Sequence, residues 1–234
     1  MLLNQGDGTF ATISSARAGW FPVHLALYDW NGDGHLDAAA ANWSSFTATV
    51  LRNRGDGGLE WVANLDSGPY PASVAFTDLD RDARPELLIA GFECNAATVY
   101  RWEAGSGWAY SREIGAQWNA YFAAAHDLDG DAWPDVVICS GNGAASVLMN
   151  DGSATFDTWH DFPTLAAPIQ VAFPDLDQDG RPDILTTHYA RRGGHRAVQP
   201  RWGRLRARRG IDRRPGAGWL RRGCRRVGNR RRRL

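Results

Sequence analysis

The chain has 234 residues, 44% apolar and 22% charged, the composition of a folded globular protein, and no apolar run approaches the roughly 20 residues that a membrane-spanning helix requires. Its formal net charge of zero hides a division: residues 1–189 carry 8 Arg against 25 acidic side chains, whereas residues 190–234 carry 18 Arg against Asp212 alone. All 26 basic residues are Arg, and three cysteines (Cys94, Cys139 and Cys224) are too few for a disulfide framework.

Met1-Leu2-Leu3 runs straight into the turn-like Asn4-Gln5-Gly6-Asp7-Gly8, without the apolar core of a secretory signal. Phe10 and Thr12 follow, so the first residues read as a hairpin: Asn/Asp-Gly between apolar strands is the strongest short-range signal for one. Leu25 and Leu27 then alternate about Ala26, the period of a strand. An acidic loop, Asp29-Trp-Asn31-Gly-Asp33-Gly-His35-Leu-Asp37, leads into Ala38–Ala41, a run that alone would also pass for helix. A segment ending at Asn53, a Gly-Asp-Gly turn, and the apolar Leu59 and Trp61 complete the unit.

The same order then recurs. Val74 and Phe76 precede the loop Asp78–Glu86 and the run Leu87–Ala90; Trp102, a degenerate turn, Trp108 and Tyr110 follow. Ala123 and Ala125 precede Asp127–Asp135 and Val136–Cys139, with Asn150, Phe156 and Trp159 closing that unit. Val171 and Phe173 precede Asp175–Asp183 and Ile184–Leu185. The loops start 49, 49 and 48 residues apart, and the Gly-rich turns keep the same beat, so the chain is a tandem repeat. Four strands in about 49 residues is the size of a propeller blade. The expectation is an all-β chain: a β-propeller of four-stranded antiparallel blades, about four repeats of 48–49 residues over residues 1–189, an incomplete propeller starting mid-blade.

Each loop sets oxygen-bearing side chains at positions 1, 3, 5 and 9: Asp29, Asn31, Asp33, Asp37; Asp78, Asp80, Asp82, Glu86; Asp127, Asp129, Asp131, Asp135; Asp175, Asp177, Asp179, Asp183. Such groups repel one another unless a cation sits among them, and hard oxygen ligands without His or Cys at those positions select Ca²⁺ over zinc or copper. Position 7 would give a backbone carbonyl, which leaves its side chain free to vary as His35, Arg84, Trp133 and Arg181. An EF-hand is excluded, because its bidentate Glu at position 12 is replaced by Ala40, Ile89, Ile138 and Thr186, and strands flank the loops. One such loop is equally well a solvated acidic turn; four in register favour calcium, up to four structural ions. Gly34 and Gly180 suit the left-handed turn at position 6, while Ala83 and Ala132 cost about 1 kcal/mol there. The first and fourth loops are therefore expected to bind tightest and the second weakest.

The pairing of D-x-[DN]-x-D-G-x-x-D with an upstream Leu-Leu-Asn-x-Gly-Asp-Gly-Thr-Phe resembles the FG-GAP/VCBS repeat family, whose members include integrin α-subunit heads and propeller lectins. Leu2–Phe10 and Asp175–Leu185 match its pattern most closely, and the likeness covers roughly residues 1–189. It implies a β-propeller with calcium between the first two strands of each blade, in a secreted or surface-displayed protein that binds other molecules. The departures are Ala83 and Ala132, Glu86 in place of Asp, and the eroded turn after Trp102.

The composition changes abruptly after His188-Tyr189. Residues 190–234, rich in Arg and Gly, read first as G+C-rich DNA translated out of frame, then as a disordered tail, and last as a nucleic-acid-binding arm in which Trp202 and Trp219 would stack on bases. Arg54-Gly55-Asp56 matches the cell-attachment tripeptide, but the repeat already explains its Gly-Asp. Most of the eleven Trp should pack between blades, with Trp20, Trp43 and Trp118 candidates for a sugar-binding surface. His126 and His188 do not recur in their columns and no nucleophile stands in a recognisable setting, so no catalysis is assigned. The sequence thus reads as a non-enzymatic, calcium-stabilised module for protein or glycan binding outside the cell. The alternative is an accessory propeller of a secreted enzyme whose catalytic part lies elsewhere.

Overall fold

The computed structural model describes residues 1–12, 15–115, 117–153, 155–164 and 166–188; the Arg-rich segment 190–234, and every reading of it, lies outside the described residues. Among the described residues sixteen strands follow one another, every hydrogen-bonded pair antiparallel. A hairpin of β1 (Leu2–Asn4) and β2 (Phe10–Thr12) comes first. Three four-stranded sheets follow, each in sequence order. The first blade is β3 (Pro22–Tyr28), β4 (Asp37–Asn42), β5 (Thr47–Asn53) and β6 (Leu59–Asp66). The second is β7 (Pro71–Thr77), β8 (Glu86–Gly91), β9 (Ala96–Glu103) and β10 (Gly107–Gly115). The third is β11 (Ala120–His126), β12 (Asp135–Ser140), β13 (Ala144–Met149) and β14 (Thr158–Pro163). A two-stranded sheet of β15 (Pro168–Ala172) and β16 (Leu185–His188) repeats the inner half of a blade. This is the meander of β-propeller blades, and no helix among the described residues is long and apolar enough to cross a membrane.

The second strand of each blade explains why its apolar run does not alternate. β4, β8 and β12 are buried along their whole length: each lies between two neighbours within its sheet, and β8 and β12 also carry an apolar cluster on each face. In β8, Leu87 and Ile89 join Ala39, Ala41 and Val50 of the first blade in one cluster, whereas Leu88 and Ala90 join Ala123, Val136 and Ile138 of the third in another. A third cluster puts Val137, Cys139 and Val147 against Val171 and Ile184. Face-to-face packing of successive sheets is therefore the source of stability. Ala38–Ala41, helix-compatible by composition, lies in β4, hydrogen-bonded between β3 and β5, with Ala39 and Ala41 packed on the second blade.

Two features depart from the expectation. Phe156, placed in the closing strand, stands ahead of β14 with φ of 55° and is buried in the cluster between the second and third blades. Its ring is drawn inward to the core rather than continuing the hairpin. The first strand of each unit also carries a register shift near its start, at Pro22/His24, Pro71/Ser73, Ala120/Phe122 and Pro168/Gln170. That recurring β-bulge kinks the strand where it enters the sheet.

Candidate metal centre in the acidic loops

Each acidic loop joins the first and second strands of its unit, with position 9 inside or just before the second strand. The position-1 carboxylate closes the loop on itself. Asp29 accepts the N–H groups of Gly32, Asp33 and Gly34 at 2.8, 3.1 and 2.7 Å. Asp78 accepts those of Asp82 and Ala83, Asp127 those of Gly130 and Ala132, and Asp175 those of Asp179 and Gly180. Position 5 caps the next turn: Asp33, Asp82, Asp131 and Asp179 accept the N–H of His35, Arg84, Trp133 and Arg181. Position 6 adopts the left-handed conformation in all four loops, at Gly34, Ala83, Ala132 and Gly180. So does position 4, at Gly32, Arg81, Gly130 and Gln178, which the sequence reading did not anticipate. Loop two thus holds two non-glycine residues in this region, loops three and four one each, and loop one none.

Positions 1, 3 and 9 converge. Asp78, Asp80 and Glu86 bring carboxylate oxygens within 4.8 Å of one another, as do Asp127, Asp129, Asp135 and Asp175, Asp177, Asp183. In the first loop Asn31 takes the middle place, and its Nδ2 donates to Asp37 Oδ2 at 3.1 Å. Oxygens that share one Ca²⁺ at 2.3–2.6 Å lie up to about 5 Å apart, so the donor set and its spacing fit that ion. The position-5 carboxylates stand outside the three groups. Position 7 contributes packing as well: a Cβ on Gly55 would stand 2.5 Å from His35 Nε2, and one on Gly152 2.7 Å from the Trp133 ring. In the first and third blades the position-7 side chain therefore covers the hairpin glycine of its own blade; in the first, that glycine lies in Arg54-Gly55-Asp56, whose Arg and Asp are paired at 3.2 Å.

Position 9 ties the loop to the blade. Asp37, Glu86 and Asp135 are buried, and one oxygen of Glu86, Asp135 and Asp183 accepts the N–H of position 2 (Leu79, Leu128, Leu176) at 2.8–3.0 Å. The second oxygen of Asp37 accepts the N–H of Asn53, and that of Asp135 the N–H of Asn150. Sequence reasoning treated these Asn only as strand ends; their recurrence two repeats apart in one column was the available signal. The second blade has Trp102 in that column, and there the longer Glu86 stands at position 9. Burial pushes Glu86 up to about 7 and Asp135 up to about 6, against the downward pull of their backbone hydrogen bonds. Burial raises Asp37 and Asp129 as well. The charged form of so poorly hydrated a carboxylate is favoured by the backbone N–H groups it accepts and would be favoured further by a positive charge beside it.

Of the other candidates, Trp20 and Trp118 are exposed, and Trp43 packs on Tyr70 and Phe92. His126 stacks on Phe173, and His188 bonds Thr186 and the Ala166 carbonyl.

Two crystal structures described as BBS1N in complex with ARL6DN, one soaked with lead and one with mercury, are similar to this chain at 12% identity and a TM-score of 0.47 over 67% of it. The chain spans 44% and 48% of those two chains, less than half their length. No curated protein matches the sequence significantly. The model of the FG-GAP-like repeat matches three times in overlapping register, over residues 29–89, 78–138 and 127–186, each match running from one acidic loop through the next. With its loops, hairpins and blades repeating in that register, the chain belongs to the FG-GAP-like repeat family.

Proposed function

We propose that this chain is a calcium-stabilised, non-catalytic propeller module that presents its surface to a protein or glycan outside the cell. The observation that carries the reading is the recurrence, in three successive units, of three carboxylates within 4.8 Å, one of them at or just before the start of the second strand. Calcium would be held by positions 1, 3 and 9, with position 5 and the position-7 carbonyl completing the shell. The ion supplies charge neutralisation and no chemistry. It offsets repulsion within each loop and fixes the end of the first strand relative to the second. Open loops of this kind suit the millimolar calcium found outside cells.

Calorimetric titration of the full chain with calcium chloride, with thermal melts in calcium and in EDTA, tests this. About two to four ions should bind saturably and raise the melt, as mass action requires of a ligand selective for the folded state. A folded chain that takes up no calcium and melts identically in both buffers would end the calcium reading.

A further inference from the structure

The seams between successive units repeat one contact. Ala39, Leu88 and Val137, each two residues beyond position 9 of its loop, are buried in the same clusters as Val74, Ala123 and Val171 of the following unit. The first three share the column of Leu185, and the last three share the column of Leu25. At the two ends of the stack these columns are bare: Leu25 is 58% exposed and Leu185 42%, whereas no other member of either column exceeds 8%. Leu27 stands beside Leu25 on the same face of β3, and Ala172 and Thr187 stand beside Leu185, all of them exposed.

The strands divide in the same way. The fourth unit has the first two strands of a blade, and among the described residues nothing pairs with the outer edge of β16. The β1–β2 hairpin is the opposite half, set in the register of β5 and β6. Asn4 faces Phe10 as Asn53 faces Leu59, and Gln5 N–H reaches the Thr9 carbonyl at 3.0 Å as Arg54 N–H reaches that of Gly58. Hydrogen-bonded and non-bonded pairs alternate along an antiparallel ladder, so the N–H of Asn4 points to the open side of β1. In the first and third blades the Asn of this column donates that N–H to position 9, Asn53 to Asp37 and Asn150 to Asp135. In the fourth unit Asp183 gives one oxygen to the N–H of Leu176, and the other accepts no hydrogen bond among the described residues.

We propose that a second copy of this chain completes the stack head to tail. Its β3 face sets Leu25 against Leu185, the next member of the series Ala39–Val74, Leu88–Ala123 and Val137–Val171. The hairpin precedes β3 as β5 and β6 precede β7, so the same placement brings the second copy's β1 alongside β16. There Asn4 donates to Asp183, and Leu2 stands opposite Ile184 as Leu51 stands opposite Ala38 and Leu148 opposite Val136. An apolar face and a hydrogen-bonding edge thus fit one arrangement. Within a single copy the hairpin and the half-blade remain separate sheets. Each copy brings three complete blades and the two halves of another, so two copies make eight, within the four to eight of closed propellers. The head-to-tail contact then closes on itself instead of running on, and it covers the sheet edge and the apolar faces at both ends. The inference rests on the repeat and not on the ligand proposed above.

Sedimentation velocity on the full chain in calcium, over a range of concentrations, is the test. The parent should sediment at twice its mass of 25.7 kDa. Leu25→Arg and Leu185→Glu, both at sites exposed in a single copy, should each weaken the pair about tenfold or more, because each buries a charge in the joint. Mixed together, the two variants should pair again: one junction is then unaltered and the other sets Arg against Glu, which also shows that both variants are folded. Trp159→Arg, at an exposed site in the third blade outside both end faces, should leave the pair intact. A parent that stays monomeric at every concentration, association beyond two copies, a pair that withstands both end variants, or a mixture that does not pair overturns the proposal. Calcium uptake measured on the same samples reports separately on the calcium reading.

Discussion

The two seams between complete blades set the same columns against each other and hold them by different means. Between the first and second blades, Trp30 lies on Trp102 and Trp108, and Ala39, Ala41 and Ala48 face Leu87 and Ile89. Between the second and third, Asn150 is the link: its Nδ2 donates to the Leu79 carbonyl of loop two at 2.9 Å and to the Pro134 carbonyl at 3.1 Å. Its N–H goes to Asp135, while Leu79 itself donates to Glu86. A continuous hydrogen-bonded path therefore joins the carboxylate groups of loops two and three, and Arg81 over the Trp133 ring at 5.3 Å runs beside it. Both seams bury a large apolar cluster; the first adds stacked indoles, of which Trp30 and Trp108 have N–H groups without a partner among the described residues, whereas the second adds the Asn150 hydrogen bonds. Both seams are packing joints, and the second is also a wired one. Only the wired one should transmit a change at one loop to its neighbour.

The largest effect should come from breaking the packing of the first seam. Trp102→Ala removes the ring that bears on both Trp30 and Trp108, and truncation of a packed Trp costs about 3–5 kcal/mol. Denaturant unfolding should show that loss, while calcium affinity at loops two and three stays near its original value. Asn150→Ala should cost less, about 1–3 kcal/mol, because it leaves the carbonyls of Leu79 and Pro134 without that donor. The variant should also lower calcium affinity at both loops and uncouple them. Calorimetric isotherms of this variant and of Trp102→Ala, compared with the parent, would refute the distinction if both altered calcium binding alike.

The wired seam also predicts a pH response. In calcium-free buffer Glu86 titrates near 7 and Asp135 near 6, both raised by burial above their values in an unfolded chain, 4.5 and 3.8. The folded state then binds more protons than the unfolded one across that interval. Its stabilisation by protonation is complete below about pH 4 and is lost as pH rises through 6 to 7. Melts in EDTA should therefore fall from pH 5 to pH 8, and Glu86→Gln should flatten the upper part of that fall. Calcium should weaken or reverse the trend, because the ion stabilises the charged forms. A calcium-free melt that rises with pH over this range would contradict the burial of these two groups.

The sequence carried the period and the acidic loops, because each is a local pattern repeated four times, and the buried second strands of the three complete blades; in the fourth unit β16 is partly exposed. Its apolar runs at Leu87–Ala90 and Val136–Cys139 have no other use than burial on both faces. The joints were not legible in the same way. Trp30 and Trp102 are far apart in the chain, as are Leu79 and Asn150, and each looks like a lapse from the repeat until its partner is beside it. Phe156 kept its column but not its strand, since core packing outweighed hairpin geometry. The carboxylate groups were readable at positions 1, 3 and 9, whereas the Asn contributions at 53 and 150 depended on a strand brought alongside by the sheet.

The smallest effect concerns the loops themselves and refines their expected ranking. At position 6 a left-handed conformation is easy for glycine and costs an ordinary residue about 1 kcal/mol. Ala83 at φ 66° and Ala132 at φ 73° bear that cost, and Arg81 and Gln178 bear a similar one at position 4. Counted this way, loop one is unstrained, loops three and four are alike, and loop two is the most strained, so the advantage expected for the fourth loop over the third disappears. Ala83→Gly and Ala132→Gly should each raise calcium affinity and the melt in calcium, by at most about 1 kcal/mol, since glycine also gains freedom when unfolded. Arg81→Gly should add to Ala83→Gly within loop two, but it also removes the cation over Trp133. If the wired seam matters, that double variant should bind calcium better at loop two and respond less at loop three. Equal gains at both loops would mean that backbone strain, and not the Arg81–Trp133 contact, governs the pair.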